Sequence, residues 1–184
     1  MIRQKKDILN QIKADIRTIP NWPKYGVMFK DITTLLKNKE SFKNTIDLLF
    51  EHYKNTALDM VVGIESRGFI IGAALAYRLN VGFAPIRKAG KLPAETMNQE
   101  YELEYGKNKI EIHIDAIQAS DKILVVDDLI ATGGTALAAG NLITQLKGEI
   151  AGFCFVIDLP DLGGSEKLKN HGYEVFSLVE FDGE

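Results

Sequence analysis

One stretch carries its chemistry openly: Val125-Val126-Asp127-Asp128-Leu129-Ile130-Ala131-Thr132-Gly133-Gly134-Thr135. It passes from an apolar strand-like run, through two carboxylates and a small-residue loop, into a segment patterned as a helix. Consecutive backbone N–H groups at 132–135, the hydroxyls of Thr132 and Thr135 and a helix N-terminus together make a phosphate site. Gly133 and Gly134 allow the backbone to come close, and Ala131 opens the loop. The Gly-Lys-Ser/Thr ending of a Walker A loop is missing, and so is a GxGxxG dinucleotide fingerprint, which argues against nucleotide hydrolysis and NAD chemistry. Asp127 and Asp128 would repel a phosphate unless a polar group lay between them and it. A ribose meets that need, with its 5′-phosphate on 131–135 and its hydroxyls donating to the two acids. By itself an Asp-Asp pair is more often one helix cap and one solvated acid, but the Thr-Gly-Gly-Thr context favours the ligand.

Two further loops are basic. Gly63-Ile64-Glu65-Ser66-Arg67-Gly68-Phe69 leads from a strand into a helix, so Arg67 and free amides beside Ser66 could hold a second anion. Pro85-Ile86-Arg87-Lys88-Ala89-Gly90-Lys91-Leu92-Pro93 gathers three cations within five residues, directly after another strand. Charge clusters are usually solvated faces, and a lone Arg and Ser at a helix entrance usually cap it. Glu100-Tyr101-Glu102-Leu103-Glu104-Tyr105-Gly106 is acidic and aromatic and would pass for an exposed hairpin tip.

The elements that must position these residues follow from periodicity. Ile8, Ile12 and Ile16 recur every four residues before Pro20, predicting a short amphipathic helix. Residues 20–38, punctuated by Pro20, Pro23 and Gly26, read as loop with a short strand. A second helix starts near Ser41, with Phe42, Ile46, Leu49, Phe50 and Tyr53 on one face. Strand and helix then alternate: strand 60–64, helix 69–79, strand 81–86, strand 123–126, a helix bearing Ala139, Leu142, Ile143 and Leu146 that ends at Gly148, and strand 150–159. Ile110, Ile112 and Ile114 alternate with Lys109, Glu111 and His113. That predicts a half-exposed strand paired with 101–105 through a turn at Gly106-Lys107-Asn108. The repeated βαβ pattern predicts one α/β domain over 1–184, an N-terminal segment (1–38) added to an α/β core (39–184). Ligands of such sheets bind beyond the carboxyl ends of the strands, where the loaded loops lie.

Composition bounds the classes. The 184 residues hold 22 Lys+Arg against 25 Asp+Glu, a net charge of −3, and 46% are hydrophobic, ample for a core without metal or disulfide support. Cys154 alone permits neither a disulfide nor a CxxC zinc site. No surplus of cations is available for a nucleic-acid duplex, and no run approaches the ~20 apolar residues of a bilayer span. The default expectation is a cytoplasmic protein with neither a nucleic-acid nor a membrane partner. His52, His113 and His171 show no triad or metal pattern.

The 125–135 block resembles the phosphoribosyl pyrophosphate motif of the type I phosphoribosyltransferases, in the form, with Leu129 and Ala131 inside it, that is similar to members acting on adenine. The resemblance runs from about Pro20 to Phe181. It implies a central, mostly parallel sheet flanked by helices, a small base-binding segment and a flexible hairpin loop. It implies a glycosyltransferase (pentosyltransferase) of purine salvage that moves 5-phosphoribosyl from phosphoribosyl pyrophosphate to adenine, giving AMP and pyrophosphate. Ser66, Arg67, Arg87, Lys88 and Lys91 then serve pyrophosphate. Leu103-Glu104-Tyr105-Gly106 becomes a closing loop in which Glu104 accepts the proton from N9 of the base and Tyr105 covers the sugar. In Val27-Met28-Phe29-Lys30-Asp31-Ile32-Thr33, Phe29 stacks on the purine, Met28 reads its edge through backbone groups, Lys30 joins the pocket and Leu129 packs the other face. Tyr25 stands where a Pro is common and Lys30 where many members have Arg, a point donor in place of a planar fork. Mg²⁺ is implied, held mainly through substrate with no direct protein ligand. A homodimer is expected, in which a basic loop approaches the neighbour's site. The late segments 155–159 and 161–164 read as structural. Rival readings are a different base (hypoxanthine, guanine or orotate), and a regulator that kept the sugar-phosphate site but binds nucleic acid through Arg3, Lys5, Lys6, Lys13 and Arg17.

Overall fold

The computed structural model describes the backbone of residues 2–103 and 106–182 and the side chains of 5–101 and 108–182. In chain order the elements are α1 (Ile2–Asp15), β1 (Arg17–Pro20), β2 (Met28–Asp31), α2 (Thr33–Lys37), α3 (Lys39–Tyr53), β3 (Met60–Ile64), α4 (Arg67–Leu79) and β4 (Gly82–Lys88). They continue with β5 (Thr96–Leu103), β6 (Gly106–His113), β7 (Lys122–Ile130), α5 (Gly134–Gln145), β8 (Glu149–Asp158), a 3₁₀ turn (Pro160–Leu162), α6 (Gly164–Asn170) and β9 (Val175–Glu180). Seven strands form one sheet in the order β5-β6-β4-β3-β7-β8-β9. The five strands from β4 to β9 in that order are parallel, and the β5–β6 hairpin joins β4 antiparallel at the edge.

The parallel strands are apolar on both sides because helices cover both faces. Side chains alternate across a strand, so Val61, Leu124, Val126, Cys154 and Val156 enter one core with Ile12, Leu49, Ile71 and Leu75 from α1, α3 and α4. Val62, Ile64, Ile123, Val125, Phe153 and Phe155 enter the other with Ala139, Leu142 and Ile143 of α5 and Leu168 of α6. Each fully buried Val, Leu, Ile or Phe among them contributes about 1.5–3 kcal/mol of transfer free energy.

Local departures from the sequence reading have physical causes. Residues 17–31 form a two-stranded antiparallel ribbon, β1–β2, and 33–37 a short helix, where only loop and one strand were predicted. The ribbon is held by an ion pair, Arg17 Nη2 to Asp31 Oδ2 at 2.5 Å, between residues 14 apart that periodicity does not relate. Burial opposes ionisation of Asp31, but hydrogen bonds from Arg17, from the Thr33 amide and hydroxyl, and the Arg17 charge outweigh it and hold the carboxyl at about 2. The predicted turn at 106–108 belongs to β6, since pairing runs on to Leu103 opposite Gly106. Glu111, expected on an exposed face, is 6% exposed. Strand β7 continues past Val126 to Ile130, because β8 pairs with it as far as Ile130 opposite Asp158, and carries Asp127 and Asp128 inside the sheet.

The segment after β8 braces the loop after β7. Leu159 N donates to Ile130 O at 3.0 Å and Gly164 N to Ala131 O at 2.9 Å. A Cβ at Gly164 would lie 2.2 Å from Ala131 O and 2.7 Å from Gly133 N, both backbone atoms that cannot swing aside. Gly164→Ala is expected to lower stability by about 1–3 kcal/mol, the usual range for overpacking. Gly82→Ala, whose Cβ would meet nothing nearer than 3.5 Å, should match or slightly exceed wild type. Urea denaturation of the two variants checks this, and equal stabilities would contradict the close packing.

Candidate active site

A cavity of about 450 Å³ opens where β3 and β7 end, and its walls are the predicted loops. The β3–β7 register, from Met60 opposite Ile123 to Gly63 opposite Val126, sets the two loops side by side. Gly68, in the first turn of α4, presses on β7: a Cβ there would come within 2.8 Å of both Val126 O and Asp127 Oδ1.

The loop 131–135 lines one side. Gly133 adopts φ +73°, a left-handed conformation that favours glycine, and sits at the N-cap of α5. With no side-chain cap there, the first amides of the twelve-residue helix have no side-chain acceptor. Gly134 and Thr135 follow as its opening residues, so the helix dipole and these N–H groups together suit an anion.

Asp127 and Asp128 form the floor with Leu129. Asp127 Oδ1 accepts from the Asp128 amide at 2.8 Å. Burial, then the adjacent Asp128 charge, push the Asp127 carboxyl well above the usual carboxylate range, against the pull of Arg67. Asp128 is 4% exposed, and its Oδ2 takes a hydrogen bond from Arg67 Nε at 2.5 Å. The Arg67 guanidinium also lies over the Phe29 ring, 5.4 Å from its centroid. One cation thus touches the acidic pair and the N-terminal ribbon together.

Ser66 and Lys88 complete the wall among the predicted residues. The Glu65–Ser66 peptide is cis. Arg87 and Lys91 do not line the cavity: Arg87 pairs with Glu65 at 3.2 Å and donates to Lys91 O at 3.0 Å. Met28, Phe29 and Lys30 also stand outside its lining. Phe29 packs edge-on against Trp22, centroids 4.3 Å apart. Lys30 lies on the opposite side of β2 from Phe29; its Nζ donates to Thr18 Oγ1 at 3.0 Å and sits 4.4 Å from the Phe181 ring centroid. Burial, then the charge of Lys13, lower its pKa. Glu104 and Tyr105 lie outside the described residues.

Sequence reasoning passed over several wall residues. Glu65, Tyr101, Asn108 and Phe155 line the cavity. Glu65 carried a signal, as an acid inside an otherwise basic loop. Tyr101 and Asn108 face each other across the hairpin, a pairing that only the register reveals. Gly164 is absent from the lining yet braces the phosphate loop from behind.

Residues 31–183 match the model of the phosphoribosyl transferase domain. An adenine phosphoribosyltransferase of Nitrosospira multiformis is 58% identical over 173 residues, covering 94% of this chain and 99% of that protein. Among solved structures, the adenine phosphoribosyltransferase of Thermoanaerobacter pseudethanolicus superposes with a TM-score of 0.91 at 47% identity, over 94% of this chain and 99% of that one. The enzyme of Saccharomyces cerevisiae, in complex with an imino-altritol bisphosphate and adenine, gives 0.88 at 40% identity, over 95% and 99%. With its phosphate loop, acidic pair and cationic wall arranged on this fold, the chain belongs to the phosphoribosyl transferase family and, within it, to the adenine phosphoribosyltransferases.

Proposed function

We propose that the chain transfers 5-phosphoribosyl from phosphoribosyl pyrophosphate to adenine, giving AMP and pyrophosphate in purine salvage. The observation that carries this reading is the convergence of the phosphate loop, the Asp127–Asp128 pair and the cations Arg67 and Lys88 on one cavity. The 5′-phosphate takes 131–135, with the hydroxyls of Thr132 and Thr135 and the amides of Gly133 and Gly134 beside it. The ribose hydroxyls meet Asp127 and Asp128. Ser66, Arg67 and Lys88 receive pyrophosphate, with Arg87 and Lys91 behind them. Adenine lies between Phe29 and Leu129, its edge read by the Met28 backbone, while the Lys30 side chain turns away to Thr18 and Phe181. The adenine in the yeast complex, and the 9-deazaadenine in the Giardia lamblia relative, support that choice of base.

The reaction is displacement at the anomeric carbon with positive charge building on the ribose ring. The protein's work is to position the donor, hold the leaving pyrophosphate and exclude water. Glu104 accepts the N9 proton and Tyr105 closes over the sugar. Asp127 and Asp128 are hard oxygen donors at the ribose position and so fit Mg²⁺ carried mainly by substrate phosphates. When bound, that ion neutralises charge on the leaving group.

The chain works as a homodimer in the cytoplasm. Ile70 and Tyr77, seven apart on α4, are 45% and 87% exposed. Covering so apolar a face suits a second copy, and the same helix begins at Arg67. The lone thiol, Cys154, is free and buried, as suits a reducing compartment. Among the described residues no helix is long and apolar enough to cross a membrane.

Pyrophosphate release with Mg²⁺ and phosphoribosyl pyrophosphate, offered adenine, hypoxanthine, guanine and orotate separately, tests the reading. Release with adenine alone is expected. Release with another base overturns the base assignment, and silence throughout, with a tight DNA or RNA complex in a shift assay, favours the regulator. Asp127→Asn combined with Asp128→Asn should reduce kcat/KM for the donor by about 10²-fold or more, through lost ribose hydrogen bonds and an unpaired Arg67; unchanged turnover would remove the ribose assignment. Glu104→Ala should lower kcat by about 10²-fold, at the low end for general base catalysis, with little change in donor KM. The opposite split would make Glu104 a binding residue.

A further inference from the structure

The basic loop after β4 is built around a buried anion of the protein's own. Glu111 Oε1, on β6, accepts from the amides of Lys91 at 3.0 Å and Leu92 at 3.1 Å. The Gly90 amide and the Thr96 hydroxyl also turn to this carboxylate and, against its burial, lower its pKa. Next to it, Glu65 Oε2 accepts from the Lys88 amide at 3.0 Å. The loop is laced to β6 on both sides of this centre: Ala89 N donates to Lys109 O at 3.0 Å and Ala94 N to His113 Nε2 at 3.4 Å.

Successive N–H groups in a loop make a concavity suited to an anion. Here carboxylates take that place: Glu111 accepts from the amides of Gly90, Lys91 and Leu92, and Glu65 from that of Lys88, so these amides are directed to the protein's own acids. An outside anion then meets the loop through its cationic side chains, of which Lys88 lines the cavity. The strand that carries Glu111 also carries Asn108 into the cavity wall, and Lys88 lines the same cavity. The loop therefore takes its position from the hairpin.

We infer that Glu111 is a positioning residue for the leaving group: by occupying the amides of 90–92 it ties the basic loop to the β5–β6 hairpin and presents the Lys88 side chain to pyrophosphate, with Lys91 behind it. The inference rests on the transferase reading above. A merely structural acid would change stability or kcat without regard to which substrate is varied. A positioning acid changes use of the donor and spares the base.

Steady-state kinetics of wild type, Glu111→Gln and Glu111→Ala, with phosphoribosyl pyrophosphate and adenine varied separately, test this. Donor KM is expected to rise about threefold in the Gln variant, which keeps a neutral acceptor, and about tenfold in the Ala variant, the scale of lost charged hydrogen bonds. Adenine KM and kcat should stay within about twofold of wild type. Donor KM at the wild-type value in Glu111→Ala, or adenine KM rising by the same factor, overturns the proposal. Where Glu111→Ala does not fold, Glu111→Gln decides by the same criterion. Amide hydrogen exchange adds a readout that needs no turnover: faster exchange at Lys91 and Leu92 in the variants is expected, and unchanged exchange overturns the tie. Wild-type protein that makes no AMP overturns the transferase reading, and the claim on pyrophosphate with it.

Discussion

The parallel pairing of β3 with β7 brings the loop after each strand to one edge of the sheet, and the rest of the site depends on that neighbourhood. Met60 to Gly63 run opposite Ile123 to Val126, so Arg67 and Asp128, 61 residues apart, come within hydrogen-bond distance. The pairing leaves no slack at the start of α4, where Gly68 has room for no side chain against Val126 and Asp127. Packing of helix on strand and placement of charge are therefore one constraint. Strand β8 extends the same edge, and the Gly164 backbone then supports the phosphate loop from the side away from the ligand.

Charge in this site is balanced in pairs. Two adjacent acids at the bottom of a cavity are costly to ionise together, which is why burial and Asp128 push the Asp127 carboxyl up. Arg67 offsets part of that repulsion by bonding Asp128. On the basic side, Glu65 and Glu111 hold the backbone of the 88–92 loop and neutralise part of its charge. The cations of the cavity wall are thus already placed by internal carboxylates, Arg67 by Asp128 and the 88–92 loop by Glu65 and Glu111.

Much of the cavity wall was legible because the 131–135 loop is continuous in sequence. Thr132, Gly133, Gly134 and Thr135 need only their own backbone and the helix that follows, so residue types at fixed spacing suffice to describe them. The two-face cores were legible for a similar reason, since uninterrupted apolar strands require helices on both sides. The ribbon at 17–31 was not, because Arg17 and Asp31 are related by pairing and carry no period. The hairpin was legible as a hairpin but misplaced at its turn. Glycine and asparagine at 106–108 are turn formers, yet the cross-strand ladder continues through them. Glu111 sat in an alternating pattern that reads as half-exposed. The loop at 91–92 returns over β6 and takes its carboxylate in hydrogen bonds, which the alternation does not record.

The sequence by itself determined the local pieces: a glycine-rich loop at a helix start, an acidic pair before it, two cationic loops, and a strand-helix alternation able to hold them, because each rests on residues near one another in the chain. Tertiary structure alone decided which of these groups meet. It joined Arg67 to Asp128, set Lys88 on the cavity wall, turned Arg87 toward Glu65 and carried Lys30 to the far side of its strand. Strand order and register set those distances, and both arise from long-range packing of apolar faces, where many side chains of similar shape compete and no local spacing records which strand becomes whose neighbour.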